Sequence, residues 1–128
     1  MIEEALTDKI IGCAIKVHHV LGPGFLESVY ENAFAYEMRK AGLNVECQIP
    51  LKVRYDGIIV GDFIADMRVE GKILVENKAV LTLAVAHEVQ LVNYLTATGL
   101  DIGLLINFGA TSFEVRRKYR IYQKTREK

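Results

Sequence analysis

The chain has no apolar run near the roughly 20 residues that a bilayer-spanning helix requires, and Met1-Ile2-Glu3-Glu4 does not read as the start of a signal peptide. A cytoplasmic protein without a membrane partner is the expectation. Cysteine is scarce: Cys13 and Cys47 are the two in 128 residues. They share no close spacing with each other or with His18 and His19, which argues against a disulfide framework and a zinc motif and for reduced thiols. No glycine-rich loop of the phosphate-cradling or dinucleotide type is present, and no Ser/His/Asp set is legible. Net charge is also missing, with 16 Lys and Arg against 16 Asp and Glu. The balance is uneven, because from Glu114 onward seven basic residues face two acids. Zero net charge therefore removes the easiest argument for a nucleic-acid partner without excluding one. The basic residues Arg116, Arg117, Lys118, Arg120, Lys124 and Arg126 either track a phosphate backbone or shield an edge strand with charge.

What remains is 51% hydrophobic and 25% charged, the balance of one soluble globular domain over residues 1–128. Leu6, Ile10, Cys13, Val17 and Leu21 recur every three or four residues, predicting a helix over 2–20 that stops at Gly22-Pro23-Gly24. A second helix is expected over 25–41, with Gly42 as its stop. Strands follow at 45–55 and 58–69 around an Asp56-Gly57 turn, and Pro50 marks the first as an edge or bulged strand. A partner strand at 72–78 completes a hairpin through Glu70-Gly71-Lys72. A third helix over 83–98 closes at Gly99, the apolar run 102–108 reads as a strand buried on both faces, and 113–122 as a last alternating strand before a frayed tail. The order is ααβββαβ plus a terminal strand: a mixed sheet flanked by helices, with 102–108 parallel to the hairpin.

The hairpin carries the sharpest constellation. Phe63, Ala65, Met67 and Val69 share one face of its first strand, and Ile73, Val75 and Asn77 one face of its second. Superimposing those faces requires Val69 opposite Ile73 and Met67 opposite Val75. The same register sets Asp66 across from Glu76, with Lys78 further along that face. Like charges directly opposed destabilise a sheet, so the pair makes more sense around a cation than as structure. Asp66, Glu76 and the backbone carbonyl of Asn77 offer hard oxygen ligands for Mg²⁺ or Mn²⁺. Lys78 would orient a water or neutralise a transition state. Ordinary solvated charges are the competing reading. Glu27 heads a helical stripe of Tyr30, Phe34 and Met38, so it is expected to face inward as a third acid, or else to be a first-turn glutamate favoured by the helix dipole. His87, Gln90 and Tyr94 share one face of the third helix. There Gln90 would bind the water or a phosphate and Tyr94 would buttress it, unless Tyr94 is core and Gln90 helix surface.

Four segments stand in an order similar to that of a known group. Gly24, Glu27 and Tyr30 have the spacing GxxExxY. Asp66 is followed by Glu76-Asn77-Lys78, and Gln90 precedes Tyr94 in a QxxxY pattern. On these residues the chain resembles the GxxExxY family, a branch of the PD-(D/E)XK nuclease superfamily. The resemblance implies an α/β (α+β), restriction-endonuclease-like αβββαβ core with an extra N-terminal helix and C-terminal strand. It implies Asp66 and Glu76 as metal ligands, Lys78 as catalytic, and Glu27 and Gln90 in support. Tyr94, His87 and Tyr30 are the residues expected to support the substrate. That substrate is DNA or RNA, and a homodimer is one way for so small a domain to embrace a duplex. Two positions depart: Ala65 stands where the superfamily pattern has proline, and Asn77 puts an amide on the core face of its strand, where it must find partners. The alternative on the same fold is a non-catalytic module that binds nucleic acid or protein.

Overall fold

The computed structural model describes residues 3–120. Two helices open the chain, α1 (Glu4–Leu21) and α2 (Glu27–Lys40). The strands β1 (Val45–Tyr55), β2 (Ile58–Val69) and β3 (Ile73–Lys78) then form an antiparallel meander. Helix α3 (Val85–Thr98) leads to β4 (Ile102–Asn107), parallel to β3, and β5 (Glu114–Tyr119) returns antiparallel to β4. The five strands make one mixed sheet in the order β1-β2-β3-β4-β5. β1 is thus an edge strand, which is why Pro50 is tolerated within it.

Two cores result. Ile10, Ala14 and Val17 of α1 and Tyr30, Phe34 and Met38 of α2 pack with Val75, Leu104 and Ile106 on one face of the sheet. On the other face Leu91 and Leu95 of α3 meet Leu74 and Leu105. β4 is buried along its whole length, as its apolar run requires. Gly103 lets α3 approach: a Cβ there would lie 2.8 Å from Leu91 Cδ1. Among the described residues no helix is long and apolar enough to cross a membrane, and both cysteines are free thiols.

The ends of some elements differ from the sequence reading. α2 begins at Glu27 and α3 at Val85, each two residues later than expected, and β5 spans only Glu114–Tyr119. The expected strand end at 121–122 and the tail lie outside the described residues. A larger correction concerns β2. Phe63, Ala65, Met67 and Val69 do not share one core. Met67 and Val69 join the core under α1 and α2, whereas Ala65 joins the core under α3, and the Phe63 ring meets Tyr94 of α3 at 5.8 Å. At the same level of β1, Gln48 adopts a left-handed φ of 56° and drops out of the β1–β2 ladder, although the register is the same on either side of it. At that level the two-stranded arm swivels and carries its far half toward α3.

The segment leaving β3 is held by one buried amide. Asn107 Oδ1 accepts the N–H groups of Val80 at 3.0 Å and Gly109 at 2.9 Å, and its Nδ2 donates to the Val80 carbonyl at 2.8 Å and to Glu114 Oε1 at 2.7 Å. This clasp brings two backbones so close that a Cβ on Gly109 would lie 2.4 Å from Ala79 C and from Val80 N. Rotating a side chain cannot relieve a backbone clash. Gly109→Ala should therefore destabilise by about 1–3 kcal/mol, read as a lower Tm. An unchanged Tm would show that the clasp yields freely.

Candidate active site

β3 pairs with β4 from Ile73 to Lys78 but with β2 only from Met67 to Val69. The predicted register of Met67 with Val75 and Val69 with Ile73 is present. One step further the strands part, and the ladder stops short of Asp66 and Glu76. Those two side chains fill the fork. Glu76 Oε2 accepts the Asp66 N–H at 2.8 Å, and Asp66 Oδ2 accepts the Asn77 N–H at 2.7 Å. Each acid thus satisfies a main-chain donor beside the other, replacing bonds that the diverging strands no longer make. Among the described residues, Asp66 Oδ1 and Glu76 Oε1 take no such bond.

The fork is electrostatically expensive. Glu76 is 4% exposed, and burial, then the charge of Asp66, push its carboxyl from an ordinary 4.5 up to about 8. Burial also raises Asp66 from 3.8 to about 6; the Asn77 N–H opposes the rise, Glu31 and Glu27 add to it, and Lys78 reduces it. Lys78, half-buried at the end of β3, lowers both acids without closing an ion pair with either. The Tyr94 hydroxyl is pushed up by burial and then by Glu76 and Asp66, so α3 presents it to the acids.

The remaining predicted residues divide. Glu27 is exposed rather than turned into the core, because it occupies the first turn of α2 ahead of the segment that packs on the sheet. Its charge nevertheless reaches Asp66 and Glu76. Gln90 is exposed on α3 and lines a groove together with Tyr94. His87 Nδ1 accepts the Ala84 N–H at 3.0 Å, which commits it to capping α3. Tyr30 is fully buried, stacks on Phe108 at 5.0 Å, accepts the Phe25 N–H at 3.1 Å and donates to the Gly22 carbonyl at 2.5 Å. It staples the loop between α1 and α2 and has no free face for substrate. The Asn77 amide donates to Met67 Sδ at 3.3 Å, and its Oδ1 has no partner although the residue is fully buried. Such an orphan costs about 1–3 kcal/mol.

Two residues escaped the sequence reading. Glu31 lies one turn beyond Glu27 and also charges the site, and it accepts a 2.8 Å hydrogen bond from Gln48 Nε2. The i, i+4 spacing from Glu27 was a usable signal for Glu31. Nothing in the sequence marks Gln48, whose position depends on its left-handed backbone.

Among the described residues, no three His, Cys, Asp or Glu side chains are gathered closely enough to hold a metal as they stand. The donor chemistry still suits a hard divalent cation: two carboxyls pushed toward protonation first by burial, with neighbouring acids that add to the negative potential. The basic strand offers less than its composition suggested. Arg116 and Lys118 pair with Glu88, Arg117 reaches Thr7 and Asp8, and Arg120 holds Asp101 at 2.8 Å. These cations are at least partly compensated within the chain, as the edge-protection reading anticipates.

No curated protein and no solved structure matches this chain. A family model described as the PD-(D/E)XK nuclease superfamily matches residues 4–118. That span takes in both arms of the strand fork, α2 and α3, and on it the chain belongs to the PD-(D/E)XK nuclease superfamily.

Proposed function

We propose that this chain is a divalent-cation-dependent phosphodiesterase of the GxxExxY type, acting on DNA or RNA in the cytoplasm. The observation that carries the reading is the fork itself: Asp66 and Glu76 exchange hydrogen bonds with each other's strand, both carboxyls are raised, and the charge of Lys78 reaches both. Asp66, Glu76 and the Asn77 carbonyl would hold Mg²⁺ or Mn²⁺, with Glu27 and Glu31 reinforcing the negative potential. Bound there, the cation would stabilise charge on the phosphoryl oxygens and activate a nucleophile at neutral pH. Lys78 contributes a fixed positive charge beside the reacting phosphate, stronger in a partly desolvated fork than in water. Gln90 offers an amide to the nucleophile or to a phosphate oxygen, and Tyr94 bounds the site on the α3 side. His87 and Tyr30 act on the scaffold rather than on substrate. The test is cleavage of labelled single- and double-stranded DNA and RNA in Mg²⁺ or Mn²⁺, with EDTA as control. Cleavage that EDTA abolishes supports the reading; metal-independent cleavage contradicts it.

One observation favours a second reading. The hydrogen bonds that occupy both acids are also what a purely structural pair would make, and a non-catalytic binding module needs no more. That module would bind nucleic acid or protein equally well with EDTA and after loss of Asp66, and would cleave nothing.

A further inference from the structure

Between α3 and the β1–β2 arm lies a groove of about 700 Å³ whose lining contains no charged residue. Its floor and walls are apolar, including Phe63, Val53, Val85 and Val89, and its polar lining is the two carboxamides Gln90 and Asn93 and the side chain of Tyr94. Phe63 is 43% exposed, and its ring leans on Tyr94 at 5.8 Å with the two planes tilted by 45°. Neither carboxamide is held by a hydrogen bond to another described residue. The groove is also tied to the fork. Phe63 lies three residues before Asp66 on β2, roughly 10 Å along an extended strand, and Tyr94 borders both places.

A phosphate backbone has nothing to pair with in such a groove. A flat ligand with apolar faces and a hydrogen-bonding edge does. We propose that the groove is a subsite for an unpaired nucleobase next to the scissile phosphate, with Phe63 as the stacking platform and Asn93 reading the base edge. This rests on the phosphodiesterase reading and sharpens it: the preferred substrate is a single strand, an end or a bulge, in which a base can leave its stack. Aromatic stacking tolerates any base, so Phe63 supplies affinity and the amide a modest preference. The change of core between Met67 and Ala65 leaves Phe63 against α3, on the side of the groove.

The experiment measures anisotropy of a labelled oligothymidylate, an abasic oligomer of equal length and a blunt duplex, using the Asp66→Asn protein in Mg²⁺ so that nothing is cut. The oligothymidylate should bind best. Phe63→Leu keeps the apolar bulk and loses the ring face, and should remove about tenfold of that preference; Phe63→Tyr should keep it. Equal binding of the abasic and normal strands, or no effect of Phe63→Leu, overturns the base subsite while leaving cleavage by the wild type untouched. A shift in oligomeric state on Phe63→Leu, seen by sedimentation with base preference unchanged, assigns the groove to a protein partner and also overturns it. Wild type that neither binds nor cuts any nucleic acid removes the phosphodiesterase reading, and the subsite falls with it.

Discussion

Lys78→Ala should cut the rate of nucleic-acid cleavage by about 10²–10³-fold and leave KM nearly unchanged. The expectation follows from position. Lys78 ends β3 on the side of the acids, is half-buried, and closes no ion pair with another described residue. A positive charge that near the acids acts on negative charge as it develops on a substrate, and such an interaction appears in kcat. Lys78→Arg should recover little, since a broad planar fork does not replace a compact ammonium in a narrow site. Asp66→Ala should lose at least as much, because it removes a ligand together with the acceptor that holds the Asn77 N–H. Steady-state rates on a labelled oligonucleotide in Mn²⁺ measure all three. Full activity in Lys78→Ala would remove the residue from the chemistry.

The second large effect is on stability, and its sign follows from Glu76. The folded carboxyl sits near 8 against an ordinary 4.5, so the fold holds that proton more tightly than the unfolded chain does. Below about pH 4.5 the group is protonated in both states and costs nothing. As pH rises toward 8 the unfolded chain releases the proton first, and the fold is progressively penalised; above 8 the full penalty applies. Asp66, raised to about 6, adds a smaller loss of the same sign at lower pH. Glu76→Gln keeps the shape and an acceptor for the Asp66 N–H but cannot ionise. Without metal it should be more stable than wild type by on the order of 3 kcal/mol at pH 9, which is roughly 10 °C in Tm for a domain of this size. The gap should close by pH 4. Thermal melts in EDTA across that range measure it, and a gap that does not vary with pH contradicts the burial of an ionisable pair. A site stabler without its own acid is the usual mark of a group kept for function.

The sheet was largely legible in the sequence and the swivel was not. Strands β1 and β2 begin and end where alternation and the Asp56-Gly57 turn place them, and the register of Met67 with Val75 followed from apolar faces alone. Alternation assumes that a strand keeps its faces, and that fails between Met67 and Ala65, at the level where Gln48 takes a backbone conformation that no pattern of apolar residues encodes. Alternation therefore puts Phe63 on a face that it does not share with Met67. Of the two readings of Glu27, its exposure in the first turn of α2 fits the glutamate favoured by the helix dipole and not the inward-facing acid. A helical stripe fixes the angle about the axis but not which of its positions the neighbouring sheet covers. Asp66 and Glu76 were found because their pairing violates a local rule, and violated local rules concentrate at functional sites. His87 and Tyr30 carry no such violation, and their hydrogen bonds belong to a helix cap and a loop.

The central claim is that the strand fork is a cation site. Calorimetric titration of Mg²⁺ and Mn²⁺ at pH 7 into the wild type and into Glu76→Ala tests it without any substrate. The wild type should bind saturably, with proton release as Glu76 gives up its proton, and Glu76→Ala should not bind. Equal binding to both proteins, or to neither, would contradict it.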